Sequence, residues 1–314
     1  MPDRKSPCKV AAFGAINLDT IIKARRAIER DTSTPSDFSE APGGVAANVC
    51  RALSRCGVPS ALAGCIGQDE AGATLKRMLA QAGVDVSGVR ELDKPSGRYV
   101  ALHDPDGALV AAAIDGEIVD SLPSDFFDDM RAAASSADIW FVDANLPAAV
   151  LSRLAAMTGD RLLVADAVSV AKAARLAAIL PRLDMLFCNR LEAVQLMGAP
   201  PGEEAIDLAM KLARQGARAC CVTDGTHPAG CCINGESFSI SPLPAKVADV
   251  TGAGDALIAG WIAARLKGLD DRTALEAGLA ASAITVEATG SAPAGLSWDA
   301  IEERCRNPAA SARG

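Results

Sequence analysis

The 314-residue sequence has no long uncharged apolar run, no block of basic residues and only two histidines. Its most apolar helix-length stretch, residues 253–266, is interrupted by Asp255 and Arg265, so we expect no transmembrane helix. A net charge of −8, with 31 scattered basic residues, argues against nucleic acid or an anionic membrane as a partner. A small anion can still bind, because backbone N–H groups at a helix N-terminus hold anions without basic side chains.

Ten cysteines are present, but no C-x-x-C spacing occurs and the two histidines lie far apart. The adjacent cysteine pairs at 220–221 and 231–232 fall in short apolar runs that look like strands. We interpret the cysteines as small buried apolar side chains in a reducing compartment rather than as zinc ligands. Residues 1–9 are polar and lack the apolar core of a signal peptide, so we expect a cytoplasmic protein.

Short apolar runs alternate with helix-length segments along most of the chain. Residues 10–16 read as a first strand, and helical segments at 44–56 and 71–82 flank a strand at 61–66. Later strands, each followed by a helical pattern, are predicted at 139–142, 162–165, 185–187 and 219–223. This alternation predicts a single α/β domain, spanning 1–314, whose mostly parallel sheet is covered on both faces.

Two segments, at about 17–42 and 95–116, break this alternation. In the second, apolar runs flank the turn Asp104-Pro-Asp-Gly107, which predicts a hairpin. We read the two segments together as a small β-lid projecting from the sheet edge. A surface hairpin with no role in ligand binding is the alternative.

The segment Asp249-Val-Thr-Gly-Ala-Gly-Asp255 leads into an apolar helical stretch. Gly252 and Gly254 let the backbone approach a ligand, and the free N–H groups of the first helical turn favour an anion. A carboxylate beside an anion site suits a base that accepts a proton from a hydroxyl attacking phosphorus. Alternatively, Asp255 only caps the helix, and the spacing leaves both interpretations open.

A second glycine turn, Ala41-Pro-Gly-Gly-Val-Ala-Ala-Asn48, also leads into a helix. Residues 42–48, 64–72 and 249–255 together resemble the two signature motifs of the ribokinase (phosphofructokinase-B) family of sugar and nucleoside kinases. The resemblance extends over about residues 10–293. It implies a three-layer α/β/α fold with a β-lid, and it implies ATP, Mg²⁺ and often K⁺.

The resemblance also assigns roles to single residues. It implies that Asp255 is the catalytic base and that Asn189 and Glu192, in an N-x-x-E motif, organise Mg²⁺, with Glu192 acting through water. For these two, a helix-start Asn with a surface Glu is the alternative reading. The anion hole for the transferred phosphoryl group would be formed by the N–H groups of Gly252, Ala253 and Gly254.

Nucleotide and potassium contacts follow from the same resemblance. Thr223 and Gly225 resemble a strand-end loop that lines the nucleotide, and residues 224–230 look longer than is usual there. Asp249, Thr251 and Ser291 fall where the family often holds potassium, largely through main-chain carbonyls.

On the substrate side, the segment Gly14-Ala-Ile-Asn-Leu-Asp19 ends the predicted first strand. It resembles the family motif in which Asn17 and Asp19 bind sugar hydroxyls, although Asp19 can also be read as a turn residue. A carboxylate that accepts two vicinal hydroxyls suits ribose. The same sugar site would be lined by Gly43, Gly44 and Asn48.

The segment Asp166-Ala-Val-Ser-Val-Ala-Lys172 has Val168 where many sugar kinases of the family have Asn. It resembles instead the D-x-V-S-x-x-K segment of pseudouridine kinases, and the segments at 142–146, 186–193 and 96–104 point the same way. Lys172 would then donate to a uracil carbonyl, and Ser96 would reach the base from the lid. An exposed helix lysine is the alternative for Lys172.

The resemblance therefore implies ATP-dependent phosphorylation of the 5′-hydroxyl of pseudouridine. Family members often pair through their lids, so the resemblance also implies a homodimer. The alternatives are a kinase of ribose or of another nucleoside and a nucleoside or nucleotide sensor without turnover. An oxidoreductase fits the α/β alternation, but the chain lacks G-x-G-x-x-G after its first strand.

Overall fold

The structure is a computed structural model that describes residues 8–122, 126 and 134–308. Its strands are β1 (Val10–Phe13), β2 (Asn17–Ala24), β3 (Ser36–Gly43), β4 (Ser60–Gly67), β5 (Asp85–Leu92), β6 (Gly97–His103), β7 (Leu109–Asp115), β8 (Ile139–Asp143), β9 (Leu162–Asp166), β10 (Met185–Asn189), β11 (Ala219–Asp224), β12 (His227–Ile233) and β13 (Glu236–Ile240). Its α-helices are α1 (Val45–Arg55), α2 (Glu70–Gln81), α3 (Ala148–Met157), α4 (Val170–Ala173), α5 (Arg190–Met197), α6 (Ala205–Arg214), α7 (Ala253–Leu266), α8 (Asp271–Val286) and α9 (Trp298–Arg306). Short 3₁₀ segments lie at Glu117–Ser121 and Ala174–Arg182.

The central sheet has nine strands in the order β13-β12-β11-β10-β9-β8-β1-β4-β5. The seven strands from β11 to β5 run parallel. Successive side chains of a strand point to opposite faces, so Val10 and Ala12 enter one core while Ala11 and Phe13 enter the other. Helices α1, α2, α7, α8 and α9 cover the first face, and α3, α5 and α6 cover the second. The predicted three-layer α/β/α fold is confirmed.

A second sheet has four strands in the order β3-β2-β6-β7. Its central pair, β2 and β6, is parallel, and its two outer pairs are antiparallel. The predicted small β-sheet is therefore present, built from both of the segments that break the α/β alternation. We call it the lid sheet.

The prediction that one strand covers residues 10–16 is wrong, and Asn17 and Asp19 do not lie at its end. The first strand stops at Phe13, and Asn17 begins β2 of the lid sheet. The chain leaves the central sheet at Gly14, where only glycine fits, because a Cβ there would lie 2.0 Å from Asp143 Oδ2. That oxygen accepts a hydrogen bond from the N–H of Ala15 at 3.1 Å and fixes the turn.

The prediction of a long loop at 224–230 is also wrong, as is the expectation that a helix follows each later strand. Strand β11 is followed by an antiparallel hairpin of β12 and β13, and only Gly225 and Thr226 separate β11 from β12. Gly225 has φ 61°, a left-handed conformation that glycine adopts without strain. The apolar run around the second cysteine pair therefore continues the sheet.

All ten cysteines are free thiols, and eight of them are buried. Cys220 lies opposite Cys232 and Cys221 opposite Cys231 across β11 and β12. Within the described part of the chain, no three His, Cys, Asp or Glu side chains are grouped so that they could hold a metal ion. In the same residues, every helix is too short or too polar to span a membrane.

Candidate active site

The candidate site lies at the carboxyl edge of the central sheet. Parallel strands end on the same edge, so the last residues of β8, β9 and β10 come together there. These residues are Asp143, Asp166 and Asn189. The N-terminus of α7 carries Asp255 to the same edge, since Asp255 interacts electrostatically with both aspartates.

Asp255 lies in the first turn of α7, but it does not cap the helix. The N-cap is Gly252, with φ 77°, and the carboxylate of Asp255 accepts a hydrogen bond from Asn48 Nδ2 at 2.8 Å. Burial raises the pKa of Asp255 to about 7, against the effect of the Asn48 hydrogen bond. A carboxylate with this pKa near neutral pH suits a general base.

The turn before α7 requires a residue without a side chain. A Cβ on Gly252 would lie 2.4 Å from Ser291 Cα, and Gly254 is exposed with open space around it. The residues predicted to form the anion hole, Gly252, Ala253 and Gly254, thus form the N-terminal turn of α7. The N–H of Ala253 donates a long hydrogen bond of 3.3 Å to Val250 O.

Asn48 connects Asp255 to two other side chains. Its Oδ1 accepts hydrogen bonds from Ser291 Oγ at 2.8 Å and from Arg51 Nη1 at 3.2 Å. Arg51 also donates to Ser291 Oγ at 3.0 Å. Asn48 therefore contacts Asp255 directly, and its assignment to the sugar site stays a prediction, whereas Arg51 was not predicted from the sequence.

On the lid side, Asp19 lies on β2 next to Tyr99 of β6. A Cβ on Gly43 would lie 2.0 Å from Asp19 Oδ2, so the glycine makes room for the carboxylate. Burial raises the pKa of Asp19 to about 6, and the charge of Arg51 opposes this. Gly44, with φ 94°, makes the turn from β3 into α1.

Asn17 carries an unsatisfied oxygen beside Asp19. Its side chain is buried, and its Oδ1 has no hydrogen-bond partner among the described residues. This oxygen packs against the backbone of Gly97, where an added Cβ would lie 2.2 Å from it. Asn17 and Asp19 thus lie two positions apart on β2, and their role in sugar binding stays a prediction.

Lys172 lies on α4, half-buried, and its ammonium donates to Asn145 Oδ1. Burial lowers the pKa of Lys172. The reading of Lys172 as an exposed helix lysine is therefore wrong. Just before α4, Val168 has φ 65°, which is unusual for a β-branched residue, and its N–H donates to Asp166 Oδ1 at 2.8 Å.

Ser96 is buried at the start of the lid, but its hydroxyl is already engaged. It donates to Asp69 Oδ1 at 2.6 Å and accepts from the N–H of Gly67 at 2.8 Å. Asp69 in turn caps α2 by accepting from the N–H of Gly72. The role of Ser96 as a reader of the base stays a prediction, and its proton is committed to Asp69.

Asn189 and Glu192 form a capping box at the start of α5. Asn189 Oδ1 accepts from the N–H of Glu192 at 2.9 Å, and Asn189 Nδ2 donates to Glu192 Oε1 at 2.7 Å. Glu192 is buried, which raises its pKa and excludes the reading of a surface glutamate. Glu192 also raises the pKa of Asp166, though by less than burial does.

The residues predicted for potassium lie around the same turn. Asp249 Oδ1 accepts from the N–H of Thr251 at 2.9 Å, and its Oδ2 accepts from the N–H of Gly290 at 3.0 Å. Burial acts to raise the pKa of Asp249, but these hydrogen bonds hold it below its ordinary value. The Ser291 hydroxyl is engaged with Asn48, so Ser291 would contribute its main-chain carbonyl oxygen as a ligand of a cation.

A cavity of about 510 Å³ adjoins the N-terminus of α7. It is lined by Gly225, Val250 and Ala253 and by apolar side chains of α8 that include Leu279 and Val286. Thr223, by contrast, is not among its lining residues, and its hydroxyl donates to Cys188 O at 3.4 Å. An apolar cavity beside an anion-binding turn can accept the flat base of a nucleotide.

Two residues that sequence reasoning did not single out organise the site. The carboxylate of Asp143 accepts from the N–H groups of Ala15, Ala46 and Asn145, at 3.0–3.1 Å. It thereby joins the end of β1, the start of α1 and the end of β8. Arg51 is hidden in the ordinary polar pattern of an amphipathic helix, and only its position relative to Asn48 could have indicated it.

The comparisons agree with this geometry. A family model described as pfkB family carbohydrate kinase matches residues 8–298. The pseudouridine kinase of Escherichia coli is 26% identical over 266 residues, which cover 83% of this chain and 84% of that protein. The ATP-dependent ribose-1-phosphate kinase of Halopiger xanaduensis is 30% identical over 303 residues, which cover 91% of this chain and 95% of that protein.

Among solved structures, a carbohydrate kinase from Agrobacterium tumefaciens is 31% identical, with a TM-score of 0.80, and the match covers 95% of this chain and 97% of that one. The family match over most of the chain, the central sheet with its lid sheet and the carboxylate at the start of α7 lead to one conclusion. The chain belongs to the pfkB family of carbohydrate kinases, phosphotransferases that act on a hydroxyl group.

Proposed function

We propose that this sugar or nucleoside kinase transfers the γ-phosphoryl group of ATP to the 5′-hydroxyl of pseudouridine. The observation that carries the proposal is the position of Asp255, hydrogen-bonded to Asn48 at the N-terminus of α7. Asp255 accepts the hydroxyl proton, and the hydroxyl oxygen forms the bond to phosphorus as the bond to the ADP oxygen breaks. The N–H groups of the α7 turn stabilise the charge on the transferred group.

We propose ATP as the donor and Mg²⁺ as its ion. The cavity at Gly225 and Ala253 offers an apolar space for adenine next to the anion-binding turn. The oxygen donors at Glu192 and Asn189 suit Mg²⁺, which prefers hard oxygen ligands and keeps several waters. When bound, Mg²⁺ neutralises charge on the phosphates, and Glu192 would hold it through water. Potassium held by carbonyls near Asp249, Thr251 and Ser291 stays a prediction.

The sugar hydroxyls bind at Asn17 and Asp19, and the base is read near Lys172. Asn145 orients the ammonium of Lys172, so one of its remaining protons can be donated to a uracil carbonyl. The segments carrying Asn145 and Lys172 are the ones that resemble pseudouridine kinases. Their contact is the main support for a base reader at this position.

The test is ADP release with ATP, Mg²⁺ and a panel of pseudouridine, uridine, cytidine, adenosine, inosine, ribose, fructose and ribose 1-phosphate. Pseudouridine should be turned over with the highest kcat/KM. Asp255→Asn should lower kcat by at least about a hundredfold, since general base catalysis contributes about 10²–10⁴-fold. Activity of Asp255→Asn within tenfold of the parent would remove Asp255 as the base.

Ribose 1-phosphate is the second candidate substrate. The relative that phosphorylates it is 30% identical, and Arg175 donates to Asn145 O at 2.6 Å beside Lys172, which places two cations at one residue. Two cations suit a phosphate better than they suit a neutral base. Lys172→Met separates the candidates: it should erode the preference for pseudouridine over uridine in the first case and abolish ribose 1-phosphate binding in the second.

We also propose that the protein forms a homodimer through its lid sheet. The cytoplasmic location stays a prediction. Strand β7 is an edge strand whose residues are all exposed, with Leu109 56% and Ile114 63% exposed. Apolar edge strands with open hydrogen-bonding groups favour association. Light scattering should give a dimer for the parent and a monomer for Leu109→Lys/Ile114→Lys, and a monomeric parent would contradict the proposal.

A further inference from the structure

Arg51 lies on α1, one turn after Asn48, and its side chain is half-buried in the site. Its Nη1 donates to Pro42 O at 2.8 Å, to Ser291 Oγ at 3.0 Å and to Asn48 Oδ1 at 3.2 Å. These acceptors belong to β3 of the lid sheet, to the segment after α8 and to α1 itself. One guanidinium therefore connects the lid sheet to Asn48, which contacts Asp255, and to Ser291, which lies against the turn before α7.

The contact with Asn48 fixes the direction of its amide. Oδ1 of Asn48 accepts from Arg51 and also from the Ser291 hydroxyl. A reversed amide would direct its N–H₂ group at these two donors. With the oxygen held on that side, Nδ2 must point toward Asp255, to which it donates at 2.8 Å.

The contact with Pro42 reaches the sugar side of the site. Pro42 lies opposite Leu18 in the lid sheet, and the next residue, Gly43, is the one whose missing side chain admits the Asp19 carboxylate. The positive charge of Arg51 acts on both carboxylates, lowering the pKa of Asp19 and of Asp255 against the effect of burial. The other charged groups that interact with Asp255 are Asp143, Asp19 and Asp166.

We infer that Arg51 is a positioning residue: it joins lid strand β3 to Asn48 and so orients the catalytic base when the sugar site is formed. The inference rests on the proposed role of Asp255. Arg51 does not touch the reacting atoms, so its effect should pass through Asn48. Losing it should therefore lower kcat more than it weakens nucleotide binding.

The test compares Arg51→Met, Arg51→Lys and Arg51→Gln with Arg55→Met, a matched control one turn further along α1 whose side chain is exposed. The acceptor is whichever substrate of the panel the parent turns over best. Arg51→Met should lower kcat by at least about tenfold, leave the Kd of ATP within about twofold and leave most thermal stability intact. Arg51→Lys, which keeps the charge, should recover part of kcat, and Arg55→Met should match the parent.

A double-mutant cycle with Asn48→Ala tests the route. If Arg51 acts through Asn48, Arg51→Met should cost little in the Asn48→Ala background. A kcat of Arg51→Met within about twofold of the parent, or an equal loss in both backgrounds, would overturn the inference. If Arg51→Met does not fold, Arg51→Gln carries the same comparison, because it keeps a donor and loses only charge and reach.

Asp255→Asn, measured in parallel, separates the two claims. Activity retained in Asp255→Asn removes the proposed base, whatever Arg51 does. An inactive Asp255→Asn together with an unaffected Arg51→Met removes only the positioning role. If another panel member is preferred to pseudouridine, the substrate proposal falls and the Arg51 comparison still applies.

Discussion

Gly43→Ala tests whether Asp19 binds the sugar. An added Cβ would lie 2.0–2.2 Å from the Asp19 carboxylate, whereas ordinary contact begins at 3.4 Å. Gly43 does not have a positive φ, so alanine fits its backbone and the side chain of Asp19 has to yield. The carboxylate must move by more than about 1 Å, which is enough to break a hydrogen bond, because these weaken steeply outside a narrow distance range.

A hydrogen bond to a charged group contributes about 1.5–3 kcal/mol, so the KM of the acceptor should rise by about 10- to 150-fold. The KM of ATP should stay within about twofold, because that site does not include Asp19. Steady-state kinetics with each substrate varied in turn measures both values. Gly116→Ala is the control, since a Cβ there meets nothing within 4 Å and its φ is −129°. An unchanged acceptor KM in a folded Gly43→Ala protein would refute the assignment of Asp19.

Three further predictions concern ionisation and folding. Because Asp255 has a pKa of about 7 in the folded protein and about 3.9 when unfolded, its protonated form favours folding below about pH 4, and this contribution is lost as the pH rises through 7. Asp255→Asn should therefore have the same melting temperature as the parent at pH 4 and a higher one at pH 8. The kcat/KM of the parent should decrease as the pH falls below 7. Equal melting temperatures of the two proteins at both pH values would contradict this prediction. Gly252→Ala, which combines φ 77° with a 2.4 Å approach to Ser291 Cα, should lower the free energy of unfolding by more than about 2 kcal/mol in urea, with Gly254→Ala as the open-space control. Asp143→Ala should lower it by about 3 kcal/mol or more, because three backbone N–H groups lose a buried acceptor, and a loss under 1 kcal/mol would mean that water replaces it.

The central sheet could be predicted from the sequence because its strands are short apolar runs separated by helical patterns. The lid sheet could be located but not paired, since its parallel pair joins β2 to β6 from distant parts of the chain. The break at Gly14 was missed because residues 10–16 are apolar throughout, and only contact with Asp143 explains it. The hairpin at Gly225 was missed because Thr-His-Pro looks like a loop, whereas β12 already begins at His227.

The motifs indicated most of the site, and geometry decided the alternatives they left open. Spacing alone could not separate a catalytic Asp255 from a helix cap, because both require an acidic residue in the first turn. The structure excludes the helix cap, because the carboxylate accepts its hydrogen bond from Asn48, 207 positions earlier in the chain, and the catalytic role stays a proposal. Arg51 carries no motif signal, since its role depends on contacts between distant segments. Ser96 shows the opposite case. Sequence reasoning assigned it to the substrate site, but its hydroxyl donates to Asp69 within the protein.

The negative charge at the carboxyl edge of the sheet explains why the half-buried cations Arg51 and Lys172 are important. Burial raises the pKa of Asp19, Asp166, Glu192 and Asp255, and neighbouring carboxylates raise the pKa of Asp166 and of Asp255 further. A polyphosphate that enters such a site adds negative charge to negative charge, so affinity has to come from cations and from aligned N–H groups. Arg51 and Lys172 are held in place by the amide oxygens of Asn48 and Asn145. Nucleotide affinity therefore depends on the N–H groups of the α7 turn and on a cation that binds together with the phosphates. The same local charges set the ionisation of Asp255, so its ionisation and nucleotide binding should be coupled.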